Sequence, residues 1–315
     1  MAPRTVEKII QEVDLLWGLH EHVEITLEAN PNSAEATKFK DLSAVGINRV
    51  SLGIQALNQK DLTFLGRKHS LSESYQALDW AAQYFDRFSF DLIYARPNQT
   101  LSEWEKELEE ALKLARGHLS LYQLTIEEGT PFYLSYHRGD FKMPSDEESA
   151  LFYEYTNQKM AEHNFEAYEI SNYAVPGQES RHNLTYWRYE DYIGVGPGAH
   201  SRVPMEGVKC AVRRHRSPEL WMKQVEETGD GTHEVKSLSE KDKIVEFLMM
   251  GLRLKEGISR LSFETETGQD ILKVVPSEKL KALKQEGLFY IDENFFGLSS
   301  EGRQKLNSVL GFMGL

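Results

Sequence analysis

The stretch Asn48-Arg49-Val50-Ser51-Leu52-Gly53-Ile54 reads as a β-strand, and what flanks it decides the fold. Upstream, His22-Val23-Glu24-Ile25-Thr26-Leu27-Glu28 reads as another strand, broken by Asn30-Pro31-Asn32. Ser33 is placed to cap a helix running through Leu42-Ser43, and Gly46 ends it. Downstream, a helix around Ser72–Leu78 carries Leu71, Leu78, Ala82 and Phe85 on one face. Phe88–Tyr94 is a third strand, stopped at Pro97. Leu101 to Arg116 is a helix rich in Glu and Lys, and Leu119–Leu124 is a fourth strand. Strand–helix–strand repeats of about 30 residues join parallel strands through crossover helices. Four consecutive units favour a (β/α) barrel, or part of one, over an open doubly wound sheet.

Further out the pattern changes. Pro3 opens a helix with Val6, Ile9, Ile10, Val13, Leu15 and Leu16 at helical spacing, and a domain beginning on so bare a helix is expected to have something before it. Ser145-Asp146-Glu147-Glu148 starts a capped helix, and Tyr168–Tyr173 is a short strand. From about Glu234 the chain is helical again, from Ile244 to Leu254. Phe289-Tyr290-Ile291, Phe295–Leu298 and a last helix from Ser300 then suggest a winged-helix-type α+β module. The expected division is residues 1–205, a connecting segment 206–233, and 234–315.

Composition bounds the function. Hydrophobic residues make up 40% and charged residues 27%, as in a soluble globular protein. No apolar run approaches a membrane span and no secretory leader is visible, so a cytoplasmic location is expected. A net charge of −13 argues against a nucleic-acid backbone as partner. From Val235 onward there are twelve basic and twelve acidic residues, which is not the balance of a DNA-binding winged helix. Cys210 is the only cysteine, so no disulfide and no three-cysteine metal or cluster site forms within the chain.

In parallel β/α barrels the working residues lie at the C-terminal ends of strands. Those ends carry Glu28, Gln55, Asp91, Gln123 and Thr125, with Arg67 in the following loop. Carboxylates, amides and a guanidinium at one mouth suit a polar ligand bearing amine, ribose and carboxylate groups. A second cluster begins at His182-Asn183-Leu184-Thr185-Tyr186-Trp187 and runs through Gly194, Gly196 and Gly198 to His200. Aromatic faces beside a glycine-rich backbone, with histidine in reach, describe a lip over a flat ligand; a tight corner with core aromatics fits the pattern equally well. Arg213-Arg214-His215-Arg216 could clamp a carboxylate, or form a solvated loop.

Taken together, Leu27-Glu28-Ala29-Asn30-Pro31, Asn48–Gln55, Asp91-Leu92-Ile93-Tyr94, Tyr122–Glu127, His182–Trp187 and Gly196-Pro197-Gly198-Ala199-His200-Ser201 resemble one family across essentially the whole chain. It is the radical SAM proteins related to oxygen-independent coproporphyrinogen III oxidase, and within them the heme chaperone branch. The resemblance implies a partial (β/α) barrel that holds a four-iron–four-sulfur cluster and S-adenosylmethionine, followed by a C-terminal domain. By position, Glu28, Gln55, Arg67 and Asp91 match residues lining the S-adenosylmethionine site. The His-Asn-x-x-Tyr-Trp motif is associated in the chaperone branch with heme, which makes His182 the first candidate iron ligand, with Tyr186 and Trp187 beside it and His200 second. The implied partners are heme and a respiratory acceptor protein, with which peripheral membrane contact is compatible. The rival reading is the oxidase itself, decarboxylating coproporphyrinogen III propionates.

Three departures qualify the resemblance. The Cys-x-x-x-Cys-x-x-Cys motif and the Gly-Gly-Gly-Thr-Pro loop are absent, so the expected barrel lacks its first two β/α units, on the order of 60 to 80 residues. Without the cysteines the chain is not expected to cleave S-adenosylmethionine. Ala95-Arg96-Pro97 stands where Gly-Leu-Pro is expected, which would put an arginine at the barrel mouth.

Overall fold

The computed structural model describes residues 1–32 and 37–315, so the cap expected at Ser33 lies outside the described residues. Two compact units divide the chain, Met1–Glu179 and Ser180–Leu315.

The first unit is built on a six-stranded sheet of order β1-β2-β3-β4-β6-β5. Its strands are β1 (Thr26–Ala29), β2 (Arg49–Gln55), β3 (Arg87–Tyr94), β4 (His118–Gln123), β5 (Glu166–Ala167) and β6 (Asn172–Ala174). The first four run parallel, as the strand–helix repeat predicts; β6 is antiparallel to β4, and β5 to β6. Among the described residues the sheet is open, with β1 and β5 at its edges. The strand expected from His22 is shorter because the Asn48 side chain takes over its first backbone groups. Its amide donates to Val23 O (2.7 Å) and its oxygen accepts from Ile25 N (2.8 Å). Of the strand expected over Tyr168–Tyr173 only Asn172 and Tyr173 are extended, in β6; Tyr168–Ser171 form the turn that joins β5 to β6.

Helices Leu71–Tyr84 and Leu101–Leu114 cover one face of this sheet. Each starts on a capping box, Ser70 with Glu73 and Thr100 with Glu103, which satisfies two backbone donors reciprocally. Their inner residues Ala77, Leu78, Ala81, Trp104, Leu108 and Ala111 form one core with Val50, Leu52 and Ile54 of β2, with Phe88, Phe90, Leu92 and Tyr94 of β3, and with Leu119 and Leu121 of β4. Trp104 stacks on Tyr94 at 4.9 Å, and its indole N–H donates to Thr156 Oγ1 at 2.8 Å. Because strand side chains alternate, the intervening residues of β2, β3 and β4 must occupy the opposite face.

In the second unit β7 (His200–Met205), β8 (Val208–Arg214) and β9 (Thr232–Ser237) form an antiparallel sheet in that order. This sheet crosses the boundary expected at residue 205, so the division falls instead between Glu179 and Ser180, and the expected connecting segment 206–233 is largely sheet and helix. Beyond it, β10 (Ile258–Ser259), β11 (Phe289–Ile291) and β12 (Phe295–Leu298) form a small sheet of order β10-β12-β11. Helices Glu240–Gly251, Arg260–Thr267 and Ser277–Gln285 precede its β11–β12 hairpin, as the winged-helix reading expects. Among the described residues no helix is long and apolar enough to cross a membrane.

Candidate ligand sites

The face of the first sheet opposite the helices is polar row by row. Thr26 lies beside Arg49 and Arg87, Glu28 beside Ser51 and Ser89, and Asp91 beside Ser120 and Asn172. Near the N-terminal strand ends, Arg87 donates to Glu24 Oε2 at 2.7 Å. Next to them Ser89 Oγ and Tyr168 Oη bracket the His118 ring, at 2.6 Å from Nδ1 and 2.9 Å from Nε2. Burial, then the Arg49 and Arg87 charges, hold the His118 pKa well below that of a free imidazole, so the ring is neutral.

Towards the C-terminal strand ends lie the four residues expected to bind S-adenosylmethionine. Arg67 Nη2 donates to Asn30 Oδ1 (2.9 Å) and to Gly53 O (3.2 Å). A Cβ on Gly53 would stand 3.2 Å from Gln55 Nε2 and 3.3 Å from Arg67 Nη2, so the glycine leaves the floor beneath these two groups open. Gln55 itself adopts a left-handed backbone, φ +75°, which turns the chain out of β2. The Asp91 carboxyl is pushed up to about 6 by burial and by the Glu28 carboxylate, against the Ser120 hydroxyl and the Arg49 and Arg67 charges. Glu28, Gln55, Arg67 and Asp91 thus belong to one polar neighbourhood. Asn30, the acceptor for Arg67, was not singled out from the sequence, although it directly follows β1.

Arg96 is not at the mouth. Its guanidinium is 2% exposed and is held by Glu107, by Asp61 (2.8 Å) and by Ile93 O (2.8 Å). It plugs the helix-facing side, where Glu107 also accepts from Leu57 N at 2.7 Å.

In the second unit the His-Asn-x-x-Tyr-Trp motif occupies the helix Arg181–Trp187, capped by Ser180. His182 meets Tyr186 edge-on at 4.7 Å, and Tyr186 meets Tyr192 at 4.6 Å. Trp187, one residue on, turns elsewhere. Arg253 lies 4.5 Å over its ring, and its buried indole N–H has no hydrogen-bond partner among the described residues. It lines a cavity of about 650 Å³ with Phe247, Leu254, Ile258 and Phe295. His200 opens β7 opposite Arg213, exposed. The structure therefore joins His182 to Tyr186, and places Trp187 and His200 in different surroundings. The segment after the motif is pinned: Tyr189 Oη donates to Glu246 (2.8 Å), Arg202 grips the same carboxylate with two nitrogens, and Lys209 reaches Tyr189 O (2.9 Å).

The glycine-rich loop passes close to its own chain. A Cβ on Gly194 would lie 2.1 Å from His200 O, which no side chain tolerates. Arg214, from the expected arginine clamp, donates to Gly194 O and pairs with Asp230 at 2.8 Å; Arg213 pairs with Glu234 at 3.4 Å. Cys210 is buried in β8, with its thiol near Val208 O and Ser237 Oγ. One buried cysteine cannot hold an iron–sulfur cluster, and no group of three or more His, Cys, Asp or Glu among the described residues could hold a metal ion. The residues present do not fit the cluster. The polar groups around the open floor at Gly53 do fit the carboxylate, amine and ribose of S-adenosylmethionine.

Residues 2–111 match the radical SAM superfamily, and residues 238–304 match the HemN C-terminal domain. The mitochondrial radical S-adenosyl methionine domain-containing protein 1 of Danio rerio is 36% identical, over 98% of this chain and 71% of its own length. The heme chaperone HemW of Bacillus subtilis is 34% identical, over 92% of this chain and 76% of its own, and HemW of Escherichia coli is 34% identical over 91% and 74%. The solved coproporphyrinogen III oxidase HemN of Escherichia coli superposes with a TM-score of 0.78 over 99% of this chain and 74% of that one. At 19% identity that likeness speaks for the fold alone.

Proposed function

Because the chain belongs to the radical SAM superfamily, in the branch that carries a HemN C-terminal domain, we propose that it is a heme chaperone, binding heme and passing it to an acceptor protein. The observation that carries this reading is the His182–Tyr186 pair on a short capped helix, in a chain whose HemW relatives are heme chaperones. His182 is the proposed axial ligand. Its imidazole would hold the heme, with the Tyr186 ring against it and Tyr192 against Tyr186. The proposed acceptor is a respiratory protein.

Glu28, Gln55, Arg67 and Asp91 are proposed to hold S-adenosylmethionine. When bound, that group supplies a carboxylate, an amine and ribose hydroxyls to the polar face. Arg67 is already aimed by Asn30 and by Gly53 O, so it can pair with a carboxylate without reordering. Asp91 and Glu28 can accept from hydroxyl or ammonium hydrogens. No step is routed through a cluster.

The test is a hemin titration of the full chain and of His182→Ala. The expected result is a saturable Soret change whose affinity drops at least about tenfold in the variant, as for loss of an axial ligand. Binding indistinguishable between the two proteins removes His182 from the reading.

A further inference from the structure

The cavity beside Trp187 is a cleft that the proposed function leaves unused. Its volume is about 650 Å³, and every residue that lines it lies between Trp187 and Phe295, within the second unit. The floor is apolar and buried, with Tyr189 6%, Phe247 4%, Leu254 2% and Ile258 2% exposed. The Tyr189 and Phe247 rings stack at 5.0 Å, and Arg253 lies over the Trp187 ring, so the aromatic walls are held in place. At the rim the apolar surface continues into solvent, with Leu261 75% and Phe295 41% exposed. Apolar surface that runs from a packed floor to an open rim is the signature of a binding cleft. The rim is also acidic. Three carboxylates line the cleft, Glu190, Glu256 and Glu266, against one cation, Arg188. Glu256 is paired with Arg188 at 2.8 Å and Glu266 with Lys209 at 3.3 Å. Glu190 is exposed and forms no ion pair among the described residues.

We propose that this cleft docks a protein segment in which a large apolar anchor side chain is flanked by lysine or arginine; that the segment belongs to the heme acceptor rests on the heme-chaperone reading. Three observations choose this occupant. The aromatic and aliphatic floor takes an apolar side chain, and interfaces concentrate their energy on such buried anchors. Glu190 places an uncompensated negative charge beside the anchor, complementary to a basic neighbour, in a chain whose net charge is −13. That same charge disfavours a second copy of this chain, since two molecules of −13 repel. A small carboxylate or phosphate is disfavoured too, because it would face three carboxylates and a guanidinium already engaged by Glu256.

The experiment follows the fluorescence anisotropy of fluorescein-labelled, capped peptides titrated with the whole chain. The probes are Lys-Leu-Phe-Lys, the charge-reversed Glu-Leu-Phe-Glu, and Lys-Gly-Gly-Lys, which lacks the anchor. Expected is saturable binding of Lys-Leu-Phe-Lys, at least about tenfold tighter than of either other probe. Leu261→Asp, at the rim, should weaken it at least about fivefold. Glu190→Lys should weaken it about two- to fivefold, as for an exposed charge pair. Leu134→Asp, an exposed leucine of the first unit, should leave it unchanged. All three substitutions are at exposed positions, and circular dichroism verifies that each variant is folded. Equal binding of the basic and acidic peptides overturns the proposal. So does indifference to Leu261→Asp, or a loss that Leu134→Asp shares. Sedimentation velocity tests the other occupant: self-association of the wild type that Leu261→Asp abolishes gives the cleft to a second copy and overturns the proposal as well. Peptide binding by a chain without saturable hemin binding supports the docking cleft and removes the acceptor from it. Hemin binding without peptide binding overturns the cleft alone and leaves the proposed function standing.

Discussion

Asp91 is the residue at which burial and neighbouring charge make opposing demands. Its carboxyl, pushed up to about 6, is easier to keep protonated in the folded chain than in the unfolded one, where the usual value is near 4. The sign follows: this group favours folding below about pH 4, and that contribution is lost as pH rises through about 6. Asp91→Asn should therefore stabilise the chain at pH 8 by up to about 3 kcal/mol, and make little difference at pH 4. Urea denaturation of both proteins at the two pH values checks this; equal gains at both would show that the carboxyl does not titrate against the fold. The same group should gain acceptor strength for ammonium or hydroxyl hydrogens above pH 6, when it is ionised.

Among the elements, the helix Leu101–Leu114 is tied to the turn after β3 by the buried Arg96–Glu107 pair, with Asp61 as third member. Removing one partner of such a pair leaves an uncompensated charge and typically costs about 3–5 kcal/mol. Glu107→Leu should lie in that range, and Arg96→Leu/Glu107→Leu should recover much of the loss, as measured by a double-mutant cycle in urea; additive losses would mean that the two side chains do not interact. This arginine also shows where sequence reading stops. Ala95-Arg96-Pro97 looked like a change at the ligand mouth because the residue sits just after a strand end, where barrel sites lie. Its left-handed neighbour Ala95, φ +55°, belongs to the turn from which the side chain reaches its partners under the helix layer. Strands β2, β3 and β4 were legible because their apolar residues repeat where the helices cover them. The strand expected from His22 begins only at Thr26, because Asn48, more than twenty residues away, takes up Val23 O and Ile25 N. The places of Glu28, Gln55 and Asp91 along the strands were legible from the strand pattern alone; the contact of Arg67 with Asn30 was not, since it joins residues 37 apart in the chain.

For the whole molecule, the cysteine inventory limits what the chain does unaided. After anaerobic incubation with iron and sulfide and reduction by dithionite, the 315-residue chain should form no 5′-deoxyadenosine from S-adenosylmethionine, because Cys210 is one buried thiol where a cluster needs several. Chromatography of the products decides it, and turnover would overturn the conclusion. The polar face of the first sheet has a further consequence, for the folding chain rather than for any ligand. Parallel strands with a uniformly greasy surface on both sides could slide past one another at little cost. Here a slip of one residue in β2 would drive Arg49 in among Phe88, Phe90 and Trp104 and throw Val50 and Leu52 out, and a slip in β3 would drive Arg87 and Asp91 in against the helix layer and throw Phe88, Phe90 and Leu92 out. Burying even one such charge unpaired costs several kcal/mol. The polar rows therefore proofread the alignment of the sheet, since only one register keeps every charge out of the apolar layer.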